Sequence, residues 1–278
     1  MLQGPVGVFD SGYGGLTILR ELRRRLPDLD FLYLGDNARA PYGTRSFDLV
    51  YAFTRQAVRF LFDAGCPLVI LACNTASAKA LRSIQQRDLP HWPDPSRRAL
   101  GVIRPTVEQL GKVSSSGHIG LLATPGTVAS NSYALEVEKI CPEISVHSHA
   151  CPMWVPLVEN READSPGADY FIKKDIDALF SDSPEIDTLV LGCTHYPLMI
   201  DKIRKFVPDG VEILHQGEIV ADSLVDYLRR HPEMDCRISR NNGVRYLTTE
   251  SPEKFSSLAS YFLGHDVVAH HVDLGNAD

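Results

Sequence analysis

Two cysteines each close an apolar run and open a polar one. Cys73 lies in LVILACNTAS (residues 68–77) and Cys193 in TLVLGCTHYP (residues 188–197), so each follows strand-forming residues and precedes small or polar ones. In open parallel sheets the working groups gather where strands run into helices. A thiol beside a helix N-terminus sees the positive end of the dipole, which is expected to pull its pKa from about 8.5 toward neutrality. Such a group can take or give a proton at working pH. A single cysteine in this setting is ordinarily packing, because free cysteine is among the most buried residue types. Asn74, Thr75, Thr194 and His195 point the other way, since their donors and acceptors need partners that a bound polar ligand would supply. Two thiols around one small molecule suit stereochemical inversion: one takes the Cα proton from one face, the other returns a proton to the opposite face, and the roles exchange in reverse.

The turn FDSGYGG has the glycine content of an anion-binding loop, yet it fits neither common nucleotide fingerprint. G-x-G-x-x-G from Gly12 would need glycine where Thr17 stands, and no Lys-Ser or Lys-Thr follows. Asp10 would repel phosphate and attract an ammonium group, while Ser11 and the amides after it could hold a carboxylate. Ammonium and carboxylate on one small molecule describe an amino acid. Its Cα is a weak acid, and a pyridoxal cofactor would need a lysine in comparable context. Lys79 reads as a surface residue instead, so no cofactor is expected.

Positioning these residues requires a β/α chain. PVGVF, FLYLG, LVILA, LGVI, IGLLA, TLVLG, VEILH and VRYLT read as strands, and they alternate with amphipathic segments such as FDLVYAFTRQAVRFLFDAG, closed by Gly65 as a C-cap, and GADYFIKKDIDALF. Arg23, Arg24 and Arg25 lie opposite Leu16, Leu19, Leu22 and Leu26 and predict a solvated helix face. DLPHWPDPSRR (residues 88–98), with three prolines and no periodicity, is the expected crossing between domains. Internal similarity adds a second organising feature. Gly7–Ser11 matches Gly120–Thr124, and Val69–Thr75 matches Leu189–His195, at offsets of 113 and 120.

Composition narrows the classes. With 278 residues, 44% hydrophobic and 23% charged, the chain is large enough for one big or two modest domains. A net charge of −7 argues against a general nucleic-acid or anionic-membrane surface. No secretory signal or bilayer-length apolar segment is visible, which predicts a cytoplasmic protein whose six cysteines remain thiols. No C-x-x-C occurs, and Cys193 with His195 is the one close ligand-type pair, so no metal site is expected.

VFDSGYGGLTIL, YLGDNARAPYGTRS, ILACNTASA, CPMWVPLVE and LVLGCTHYPL, in this order from residue 6 to about 230, resemble glutamate racemase of the cofactor-independent aspartate/glutamate racemase family. The resemblance implies that Cys73 acts on the D enantiomer and Cys193 on the L, assisted by Asp10, Glu159 and His195. It implies substrate contacts from Asp10, Ser11, Tyr42, Gly43, Asn74, Thr75, Thr194 and His195, and a role in making D-glutamate for the bacterial cell wall and hence cell shape. The implied fold is α/β with two similar, pseudo-twofold-related domains, each a parallel sheet flanked by helices, and the active site between them. Residues 1–98 and 209–278 would form the first domain and 99–208 the second. A homodimer is compatible with this reading, although nothing in the residues specifies one. In GVIRPTV, Arg104 stands where the family more often has an acidic residue, a change that would bear on domain contacts or regulation. Two other readings remain: a non-catalytic two-lobed amino-acid-binding protein, and a hydrolase or isomerase of related fold with one cysteine as nucleophile and His195 as its base.

Overall fold

A computed structural model describes residues 3–275. Its ten described strands are β1 (Val6–Asp10), β2 (Phe31–Gly35), β3 (Leu68–Leu71), β4 (Arg98–Gly101), β5 (His118–Ala123), β6 (Ser145–Ala150), β7 (Thr188–Gly192), β8 (Glu212–Leu214), β9 (Val244–Thr248) and β10 (Ala269–His271). They form a six-stranded sheet of order β10-β9-β2-β1-β3-β4 and a four-stranded sheet of order β6-β5-β7-β8. The ladders are parallel. Strands covered by helices on both faces must be apolar along their whole length, and β1, β2, β3 and β7 are buried at every residue.

The repeat seen in the sequence is a repeat of topology. The order β2-β1-β3-β4 in one sheet recurs as β6-β5-β7-β8 in the other. Register agrees as well: Gly7 pairs with Val69, and Gly120 with Leu189. Both sequence offsets therefore belong to one structural duplication, and Cys73 and Cys193 each fall two residues beyond the equivalent Leu71 and Leu191.

Several sequence expectations shift. β4 begins at Arg98, two residues before LGVI, and the helix Ile103–Val113 takes over that segment's end. β6 (SVHSHA) and β10 (AHH) were not expected; both are edge strands, where one open side permits polar residues. The proline-rich 88–98 segment does not cross between lobes, because it leads from the helices after β3 to β4, which pairs with β3. The chain changes sheet after Gly101 and again after Leu214, so the expected boundaries at 98/99 and 208/209 fall short of the observed crossings. Arg104 is exposed and pairs with Glu108 at 3.0 Å and Glu136 at 3.8 Å. Arg24 and Arg25 are exposed as expected, and they meet Glu218 and Asp222 of the helix Gln216–Arg230, which packs along Leu16–Arg25.

No helix among the described residues is long and apolar enough to cross a membrane. The helix Phe47–Asp63 begins at Ser46, whose hydroxyl accepts from the Leu49 amide. At its other end Ala64 is the C-cap and Gly65 follows with φ +95°. The Gly65 amide reaches the Phe62 carbonyl and the Cys66 amide the Leu61 carbonyl, both at 3.0 Å, the paired bonds of a left-handed helix stop. Space around Gly65 is open, so a methyl group there meets only backbone strain. Gly65→Ala should cost roughly 1–2 kcal/mol, read as a lower urea midpoint with unchanged activity. An unshifted midpoint would contradict the assigned role of the positive φ.

Candidate active site

The two lobes meet at a cavity of about 120 Å³, room for one small molecule. Cys73 enters it from the first lobe and Cys193 from the second. Ser11, Tyr42, Gly43, Asn74, Thr75, Glu159, Thr194 and His195 also line it, so nearly the whole expected set converges. Asp10 stands behind the lining, fully buried at the end of β1.

The approach of the lobes depends on the glycine turn. A Cβ on Gly14 would stand 2.1 Å from Thr194 Oγ1 and 2.5 Å from His195 Nδ1, so only a residue without a side chain lets the second lobe's Cys-Thr-His segment close against it. Thr17 Oγ1 is 3.0 Å from the Thr194 carbonyl oxygen. A second seam forms where the Gly126 amide donates to the Gly43 carbonyl at 2.7 Å and Thr75 Oγ1 meets Thr124 Oγ1 at 3.0 Å. Part of the turn is bonded within the first lobe. The Gly12 amide donates to Asp10 Oδ2 at 2.8 Å, and the Ser11 hydroxyl lies 3.4 Å from Cys73 Sγ.

Around the two sulfurs the duplicated backbone carries different chemistry. Cys73 is the N-cap of the helix Asn74–Lys79, its sulfur accepting from the Ala76 amide at 3.4 Å. Its pKa is nevertheless pushed up to about 12, first by burial and then by the Asp10 carboxylate, which outweigh the hydrogen bonds from Ser11 and Ala76. That corrects the expected drop toward neutrality: a six-residue helix cannot offset complete desolvation here. Burial likewise raises Asp10, whose Oδ1 has no hydrogen-bond partner.

Cys193 precedes no α-helix directly; a 3-10 turn, Tyr196–Met199, intervenes. His195 Nδ1 is 3.8 Å from Cys193 Sγ and His195 Nε2 is 3.0 Å from Glu159 Oε1. Burial alone would lower the imidazole, but hydrogen bonds to Cys193 and Glu159 prevail and bring it up to about 10. The protonated imidazole is thus favoured, held between the Glu159 carboxylate and the Cys193 sulfur.

Asn74 is held by a closed ring of buried side chains. Its amide donates to Gln216 Oε1, Gln216 Nε2 lies 2.6 Å from Tyr133 Oη, and Tyr133 Oη donates to Asn74 Oδ1 at 2.8 Å. The Tyr42 hydroxyl is committed to buried Asp36, leaving its ring and backbone to face the cavity. Lys79 is buried, with Nζ donating to the Arg45 carbonyl at 2.7 Å, rather than on the surface.

Sequence reading passed over several lining residues, among them Thr124, Cys151, Pro152 and Val155. Thr124 had a signal, because the internal repeat aligns it with Ser11. Cys151 follows β6, a strand too polar to recognise, and its thiol is raised by burial.

Known proteins give the same picture. The glutamate racemase of Ruegeria sp. is 42% identical over 272 residues, 94% of this chain and 97% of its own. That of Roseobacter denitrificans is 44% identical over 269 residues, covering 93% and 96%. Among solved structures, glutamate racemase isoform RacE1 of Bacillus anthracis superposes with a TM-score of 0.89 at 35% identity over 99% of both chains. Francisella tularensis glutamate racemase in complex with D-glutamate gives 0.85 at 33% identity over 98% of both. The profile of the Asp/Glu/Hydantoin racemase family matches residues 15–224. With two thiols from duplicated lobes facing one cavity, the chain belongs to the Asp/Glu/hydantoin racemase family.

Proposed function

We propose that the protein interconverts L- and D-glutamate without a cofactor, by proton transfer between Cα and two cysteine sulfurs. One observation carries this reading: Cys73 and Cys193, from equivalent strand ends of two lobes, line the same cavity. Glutamate as the substrate rests on relatives that bear that name at about 40% identity over nearly the full chain. A binding protein has no use for paired thiols, and a nucleophile enzyme leaves one idle.

From L-glutamate, Cys193 as thiolate removes the Cα proton and the electron pair passes into the substrate carboxylate. Cys73, held as a thiol by its burial, delivers its proton to the opposite face. The product is D-glutamate, with Cys193 protonated and Cys73 charged, the state that starts the reverse reaction. The His195 imidazolium supports negative sulfur at Cys193, and Glu159 orients the ring. Asp10 and Ser11 serve the Cys73 side, Ser11 at 3.4 Å from the sulfur and Asp10 from behind the lining, with Oδ1 unpartnered. Ser11, Tyr42, Gly43, Asn74, Thr75, Thr194 and His195 form the wall against which glutamate is oriented. In this reading the lobes divide after Gly101 and Leu214, and the product supplies peptidoglycan synthesis from the cytoplasm, where thiols stay reduced.

Incubation with L-glutamate in heavy water should take optical rotation to zero with deuterium entering Cα. Cys73→Ser and Cys193→Ser should each lower turnover by roughly 10²-fold or more. Turnover surviving in either variant rejects the two-thiol scheme.

His195 supplies a pH signature. Its folded pKa of about 10 exceeds the unfolded 6.5, so its contribution to stability is complete below pH 6.5 and is lost as pH rises toward 10. The urea midpoint of His195→Gln should lie below wild type at pH 6 and approach it at pH 10. A pH-independent gap would mean that the imidazole is neutral in the fold.

A further inference from the structure

At the amino ends of the four-stranded sheet, the end remote from the cavity, three metal-ligating side chains converge. His118 Nδ1 is 3.0 Å from His147 Nε2 and 3.3 Å from Glu185 Oε1, and His147 Nε2 is 3.9 Å from the same oxygen. We propose that His118, His147 and Glu185 bind a divalent transition-metal ion of the zinc class.

The sheet itself builds the site. Gly120 of β5 pairs with His147 of β6, so the two-residue period of a strand puts His118 and His147 on one face as diagonal neighbours. Glu185 arrives from the turn before β7. Nitrogen and oxygen ligands held about 2.0–2.2 Å from one ion lie roughly 3–4 Å from each other, and the three observed separations fall in that range.

The partner atoms fit as well. Ser183 Oγ is 2.6 Å from His147 Nδ1; accepting that ring proton leaves the Nε2 lone pair for the metal, the usual way a ligating histidine is oriented. Two imidazoles and a carboxylate suit zinc and its neighbours rather than magnesium or calcium. The side chains are 36%, 27% and 43% exposed, which leaves coordination positions for water and an entry path.

The rings now meet edge to edge, with centroids 5.3 Å apart and planes 21° apart, as when two imidazoles share one proton. A metal takes that proton's place once each ring turns in its plane by about 40° toward Glu185. Bound there, the ion ties β5, β6 and the turn before β7 together, and it stabilises the lobe without entering the reaction. Sequence spacing gave no hint, because the histidines are 29 residues apart.

The test is calorimetric titration of chelator-treated, reduced full-length protein with Zn²⁺, repeated with Co²⁺ to read ligand type from its visible spectrum. Wild type should take one equivalent at this cluster, with no thiolate charge-transfer band from it. His147→Ala and the milder Glu185→Gln should each weaken that equivalent tenfold or more, with circular dichroism confirming the fold. The double variant Cys73→Ser/Cys193→Ser should bind as wild type, and zinc should raise its Tm but not that of His147→Ala. Absence of binding would leave a shared proton as the whole content of the cluster and overturn the proposal. So would undiminished affinity in both cluster variants, or loss of binding with the cysteines, which would place the metal on the thiols.

Discussion

The structure turns on one steric condition: the backbone of the first lobe must come within contact distance of Thr194 and His195 of the second. Gly14 makes this approach, and the position a Cβ would occupy there is already filled by Thr194 Oγ1 and the His195 ring. From that contact follow the joint cavity, the placement of one cysteine from each lobe on its wall, and the burial that governs the ionisable groups around it. The second seam, through Gly43, Gly126 and the Thr75–Thr124 pair, closes the other side. Close backbone approach and short polar contacts mark both seams, and one apolar cluster, from Val8 and Leu16 of the first lobe to Leu189 and Tyr196 of the second, runs through both halves.

Duplication supplied the scaffold, and substitution differentiated it. Asp10 and Ala123 end equivalent strands, as do the segments carrying Thr75 and His195. One sulfur is thereby surrounded by a carboxylate and a hydroxyl, the other by an imidazolium anchored on Glu159. The proposed reaction, run in both directions, needs one proton donor and one acceptor at any moment, and the two sulfurs have different partners with which to serve it.

Much of this was legible from residues alone. Buried parallel strands announce themselves as nearly unbroken apolar runs, which is why β1, β2, β3, β5 and β7 were found near their true limits. The thiols were found because apolar-to-polar switches mark strand ends. β6 and β10 escaped because an edge strand need not be apolar, and SVHSHA reads as a loop. The domain crossings escaped because prolines in 88–98 advertise a linker, whereas the actual crossings after Gly101 and Leu214 run straight from strand into helix. The Cys73 acidity was misjudged because a sequence shows which dipole a thiol will meet but not how much water it will lose.

Gln216 follows the second crossing, and Val102, whose carbonyl its side chain reaches, follows the first. The same side chain belongs to the ring that holds Asn74 at the cavity wall. Any swing of one half against the other must bend the chain at these two passages, and so must bear on the ring of side chains that holds Asn74. If the proposed reaction needs the cleft to open, opening it and loosening the hold on Asn74 would be one mechanical event.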